Sequence, residues 1–195
     1  MSKKIVSMIR WLTVSVWLMI AISCLAYFFY DPSKFTASSI SDLILRFENG
    51  IILIYFSLSV LRGFTLLPST PLVVAGTLIF SDQPFLVLAI SLTGIILSST
   101  MIYYFSDLLG FTDYFTKKKP QTVERIKQKL EHPLGSVFVA LWAFFPFVPT
   151  DLVCYVAGVT RMNFARFIVS IAIGEAILCS AYIFGGKSLM DGLFG

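Results

Sequence analysis

Leu67-Pro68-Ser69-Thr70-Pro71-Leu72-Val73-Val74-Ala75-Gly76 sets two prolines three residues apart inside a stretch, 51–80, that is otherwise apolar enough to enter a bilayer. Proline has no amide hydrogen to donate and its ring clashes with the preceding turn, so a helix entering this stretch breaks there. Broken backbone survives at membrane depth only where protein buries it or where it lines a wet cavity. Two apolar arms meeting at Pro68 and Pro71 therefore read as a re-entrant helical hairpin. The pattern returns as Phe145-Pro146-Phe147-Val148-Pro149-Thr150-Asp151-Leu152-Val153-Cys154-Tyr155-Val156-Ala157-Gly158, which predicts a second hairpin over 134–160. Each half has Pro-x-x-Pro, then Ala-Gly (Gly76, Gly158), then an apolar span with its own glycine, Gly94 or Gly174. The second half carries four extra residues between its second proline and Ala-Gly. This is an internal repeat.

Composition agrees with a membrane chain. Of 195 residues, 57% are hydrophobic and 13% charged, against roughly 45–50% and ~25% in soluble proteins. The mean hydropathy is +0.85. A soluble domain of this size cannot hide so much apolar surface. A disordered chain and a disulfide scaffold are excluded with it. Cys24, Cys154 and Cys179 lie far apart in apolar runs, and His132 is the single histidine. No metal site or cofactor is expected from that set.

The first 50 residues read as a transmembrane helix and an interfacial one. Trp11 to Tyr30 is uncharged and long enough to cross ~30 Å of hydrocarbon, and Lys3, Lys4 and Arg10 before it predict a cytoplasmic N-terminus. The run is long for a secretory signal, and Ala21-Ile22-Ser23-Cys24 only faintly matches a lipoprotein box, so the helix is expected to be retained. Phe35 to Gly50 is amphipathic, with Ile40, Leu43, Ile44 and Phe47 at helical spacing and Ser38 or Ser39 as the expected cap.

Residues 51–186 form the second unit. It comprises hairpin 51–80, span 84–106, a basic linker 107–133, hairpin 134–160 and span 167–186. The linker holds Lys117, Lys118, Lys119, Arg125, Lys127 and Lys129, with Pro120 placed to open a helix whose apolar stripe is Val123, Ile126 and Leu130. Counting crossings from a cytoplasmic start puts this linker in the cytoplasm and opens the two hairpins to opposite sides. The positive-inside rule independently gives the same orientation. The expected fold is thus an all-α polytopic membrane protein with two inverted repeats, each a re-entrant helical hairpin plus a transmembrane helix, behind an extra N-terminal transmembrane helix. Inverted repeats with broken helices are a transporter design. Gly94 with Ser98, and Ala172 with Ala176 and Ser180, form small-residue faces suited to close helix packing or a homo-oligomer.

Few residues in the spans can carry chemistry. Arg62, Asp151 and Glu175 each stand isolated in apolar sequence, and intramembrane charges are expensive enough to imply a role. One reading has them lining a path on which Arg62 meets a lipid phosphate and an acid gates it. Other readings have Arg62 snorkelling to the interface and Asp151 capping a half-helix that starts near Leu152. Arg161 and Arg166 follow hairpin two at the boundary, fit for topology or for phosphate capture. No phosphate loop, nucleophile elbow or metal cluster is present in the sequence, so no enzyme is expected.

Pro68-x-x-Pro71 with Ala75-Gly76, and Pro146-x-x-Pro149 with Ala157-Gly158-Val159-Thr160-Arg161-Met162-Asn163-Phe164-x-x-Phe167 and Gly174, resemble the VTT domain. The DedA family and the SNARE-associated Golgi proteins share that domain, and the second motif is nearer the bacterial branch related to the yeast Golgi proteins. The resemblance spans about Arg62 to Gly186. It implies paired inverted hairpins and lipid translocation, with undecaprenyl phosphate flipping, phospholipid scrambling, envelope maintenance and proton coupling among its members. Two positions depart from the pattern. Val73 stands where DedA-type members carry an acid, and Ala143 where members usually carry an arginine. The expected function is transport of a phospholipid or polyprenyl phosphate in a bacterial cytoplasmic membrane. The expected partners are anionic lipid headgroups, with no nucleic acid. A proton-coupled solute carrier and a non-transporting assembly factor are the alternatives.

Overall fold

The computed structural model describes residues 3–146 and 148–186; Phe147, inside the second Pro-x-x-Pro, lies outside them, as do the chain ends. All regular structure among the described residues is helical. Among the described residues, three helices are long and apolar enough to cross a membrane: Arg10–Tyr30, Pro84–Leu108 and Phe164–Gly185. Their outward faces carry large apolar side chains such as Trp11, Met19, Phe85, Val169 and Ile177, the exterior that a hydrocarbon solvent selects.

Helix α1 (Lys3–Tyr30) is uncharged from Trp11 on and sits at the edge of the molecule. Trp17 is one of its ties, donating Nε1–H to the Phe64 carbonyl at 3.2 Å and packing its ring on Phe111 and Tyr155. The Arg10–Asp113 ion pair, 2.7 Å, is another. A 3₁₀ turn (Pro32–Phe35) leads to α2 (Ala37–Leu45). The cap of α2 is Thr36, whose hydroxyl accepts from the Ser39 amide; Ser38 and Ser39 lie inside the helix, so the expected cap shifts by two residues or more. Ile40 and Ile44 turn inward and α2 packs on α4, while Leu43 and Phe47 stay exposed.

Both expected breaks occur. Helix α3 (Ile51–Leu61) tightens into a 3₁₀ turn at Arg62–Phe64, and the chain then passes through Leu66, held at φ 60°, before α4 (Thr70–Ile79) begins. Pro71 falls in the first turn of α4, where an amide hydrogen would have no helical acceptor. Helix α8 (Pro133–Phe144) likewise stops before extended Phe145, and α9 (Thr150–Val159) starts after Pro149. A residue preceding proline is pushed off the helical region, which fixes that stop.

Between them run α5 (Pro84–Leu108), α6 (Phe111–Lys118) and α7 (Pro120–Glu131), the last opened by Pro120 and turning Leu130 inward as expected. Helix α10 (Phe164–Ser180) is capped by the Asn163 side chain, begins three residues before the expected start of the span at 167, and ends in a π-helical turn at Ala181–Gly185.

Helix α5 is the centre of the packing, touching α3, α9 and α10. Small residues set its approach to α3: Tyr55 and Ser91 share a 2.7 Å hydrogen bond, and a Cβ on Gly94 would lie 2.6 Å from that of Ser59. One turn on, a Cβ on Gly63 would lie 2.9 Å from that of Ser98. Without a hydrophobic drive between helices in lipid, such close contact supplies the van der Waals energy of packing. Helix α10 leans on α8 in the same way, through Gly174 against Ala140 and Ala143. The expected stripe Ala172, Ala176 and Ser180 is only half-buried; the tight face of α10 is Ile171, Gly174, Glu175, Leu178 and Cys179. Helix α9 packs on α5, and α4 packs on the π-helical end of α10.

Candidate functional site

The two helix breaks face each other through charge. Arg62, in the 3₁₀ turn that ends α3, is 8% exposed. Its Nη1 donates to the Leu67 carbonyl at 3.2 Å, along its own break, and to Asp151 Oδ2 at 3.4 Å. Asp151 lies in the first turn of α9 and is 1% exposed. It does not cap that helix: Pro149 holds the cap position, and the carboxylate turns to Arg62. Its negative charge still suits the positive end of the helix dipole.

Glu175 is fully buried on α10. Thr150, beside Asp151, donates its hydroxyl to Glu175 Oε1 at 2.6 Å. A continuous polar layer therefore runs from the first break through the start of α9 to the middle of α10. It is incompletely satisfied. Arg62 Nη2 and Glu175 Oε2 are buried with no hydrogen-bond partner, as is the Thr70 hydroxyl at the start of α4. Buried donors and acceptors without partners cost free energy and call for an explanation, a bound group being one. Arg62 does not snorkel to an interface; it points inward.

Arg161 and Arg166 stand apart from this layer. Arg161 follows α9, whose ten residues separate it from Thr150 by roughly 15 Å of helix, and it pairs with Asp107 at 3.4 Å in an exposed position. Arg166 donates to the Glu131 carbonyl at 3.0 Å, closing the end of α7. Pro68, Pro71, Pro146 and Pro149 flank the breaks, and Gly76 and Gly158 lie in α4 and α9, where they admit Tyr55 and Ser106 respectively.

A family model for the VTT domain, the domain of the DedA and SNARE-associated proteins, matches residues 67–188. The chain belongs to the VTT domain family. No curated protein and no solved structure matches it. Within the VTT domain lie Asp151, Glu175 and Thr150, whereas Arg62 and the whole of α1, α2 and α3 precede the matched region. Val73 and Ala143 are both packed in the core, and Ala143 must be small because Gly174 rests on it. The charges of this VTT protein are thus divided between its halves: a cation from the first, two acids from the second.

Nothing in the local sequence singles out Thr150, although it adjoins Asp151 at the mouth of a half-helix. Tyr55, Ser59 and Ser91 were also hidden, because single hydroxyls inside apolar spans carry no periodic signal. His132 has a structural part, accepting the Leu134 amide on Nδ1 at 3.2 Å to cap α8.

Proposed function

We propose that this VTT protein moves a membrane lipid, a phospholipid or polyprenyl phosphate, between leaflets past its paired helix breaks. The observation that carries this reading is the buried Arg62–Asp151 pair, stretched to 3.4 Å between the two breaks with Arg62 Nη2 left without a partner. A cation held loosely at membrane depth can exchange its carboxylate partner for a lipid phosphate, to which arginine offers paired donors. On this reading the chain is two inverted repeats, each with a re-entrant hairpin. Packing is reciprocal: α3 leans on α5 and α9 crosses to α5, while α8 leans on α10 and α4 crosses to its end. Such an arrangement suits rocking of one half against the other. The chemistry is non-covalent, the setting is a cell membrane, and the N-terminus with the basic linker is cytoplasmic. Anionic headgroups are the partners.

The test is dithionite quenching of fluorescent phospholipids in proteoliposomes. Wild type should carry quenching well past the half that marks the outer leaflet, and Arg62→Gln/Asp151→Asn should stop at half. The double variant keeps neutral groups in both places, so it should fold. Quenching that stops at half for both proteins, with phospholipid and polyprenyl phosphate probes alike, refutes the proposal. Gradient-dependent solute uptake would then favour the carrier.

A further inference from the structure

The segment that precedes the VTT match builds most of a groove. Helix α1, the Pro32–Phe35 turn and α2 face α3, the first break and α4 across an opening of about 650 Å³, well within the range of ligand sites. Its walls are apolar, with Tyr27, Phe28, Leu58, Leu61 and Leu67 among them. Three cations border it: Lys34, Arg46 and Arg62, against the single acid Asp42. Among the described residues Lys34 and Arg46 enter no ion pair, and Arg62 keeps a buried Nη2 without a partner.

The side of the membrane matters as much as the count. The Arg10–Asp113 pair ties the start of α1 to the polar linker, so the chain's basic cluster gathers at one end of the molecule. Lys34 and Arg46 follow the other end of α1. Topology does not need cations there, and Asp31, Glu48 and Asp82, the other acids near this end, stay off the groove's lining. Among the described residues, Lys34 and Arg46 at that end both border the apolar groove that reaches Arg62.

We propose that this groove binds one anionic phospholipid, its phosphate between Lys34 and Arg46, its acyl chain along the aromatic wall, and Arg62 as the deeper donor. The groove selects negatively charged over zwitterionic headgroups. A free phosphate would leave the apolar wall uncovered, and an uncharged lipid would leave the cations unused. The binding site stands by itself; only the onward movement of the headgroup past Arg62 rests on the translocation reading.

The experiment places a tryptophan in the groove by Phe28→Trp and follows its quenching in phosphatidylcholine vesicles containing about one-tenth brominated phosphatidylglycerol or brominated phosphatidylcholine. The parent protein, with Trp11, Trp17 and Trp142, supplies the background. The expected result is preferential quenching by phosphatidylglycerol, on the order of thirtyfold for two cations at a lipid surface. It should fall to parity in Lys34→Gln/Arg46→Gln and resist added inorganic phosphate. Both substituted residues are exposed, so the fold is not at risk. Equal quenching by the two lipids, preference that survives the double substitution, or displacement by phosphate each overturns the proposal. Preferential quenching in a protein that fails to translocate would refute the function above while leaving this site standing.

Discussion

Neutralising Asp151 should destabilise the protein far more than neutralising Asp151 and Arg62 together. At 3.4 Å and an effective dielectric of about 20, the gross attraction is ~5 kcal/mol, and each ion loses several kcal/mol of hydration on burial. The pair is therefore close to balanced, and its worth appears only when one partner is removed. Asp151→Asn thus strands a buried cation whose Nη2 already lacks a partner, at an expected cost of ~3–5 kcal/mol. Adding Arg62→Gln removes the stranded charge and should restore stability to within about 1–2 kcal/mol of wild type. The coupling is then at least ~2 kcal/mol, measurable from sodium dodecyl sulfate unfolding in mixed micelles across the four proteins. Additive single effects, with the double variant worst of all, would refute the idea that these charges compensate one another across the breaks.

Gly158→Ala should cost about 1–3 kcal/mol, because its Cβ would overlap the Tyr103 carbonyl, a backbone atom of α5 that cannot swing aside. Gly185→Ala, with nothing within 4 Å of the added methyl, should leave the same unfolding midpoint unchanged or raised by up to ~1 kcal/mol. Arg161→Gly should stabilise by about 1 kcal/mol in that assay: it relieves a left-handed residue at φ 53° and gives up an exposed ion pair of little worth.

Runs without charge, interrupted by paired prolines, locate the spans and both breaks because those features act locally on the helix. Isolation in apolar sequence picks out Arg62, Asp151 and Glu175, which the fold gathers into one polar layer. What depends on three-dimensional packing is not written so plainly. The Thr150–Glu175 hydrogen bond joins residues on different helices, and nothing in the local pattern of either predicts the other. Thr36 rather than a neighbouring serine caps α2 because the preceding 3₁₀ turn fixes which hydroxyl reaches the Ser39 amide. Gly174, not the Ala172 stripe, sets the approach of α10, since the choice of face depends on where α8 and α5 lie. Arg161 and Arg166 are drawn to Asp107 and the end of α7, contacts between segments far apart in the chain.

The division of charge between the halves has a consequence for biogenesis. Arg62 leaves the ribosome 89 residues before Asp151, which at about 5–20 residues per second leaves it roughly 5–20 s without its counter-ion. During that interval the first break has no completed protein interior to enter. The nascent chain must keep Arg62 near the headgroups or against the insertion machinery, and its side chain reaches its carboxylate partner only after α9 arrives. Final seating of the first break is therefore timed by synthesis of the second half.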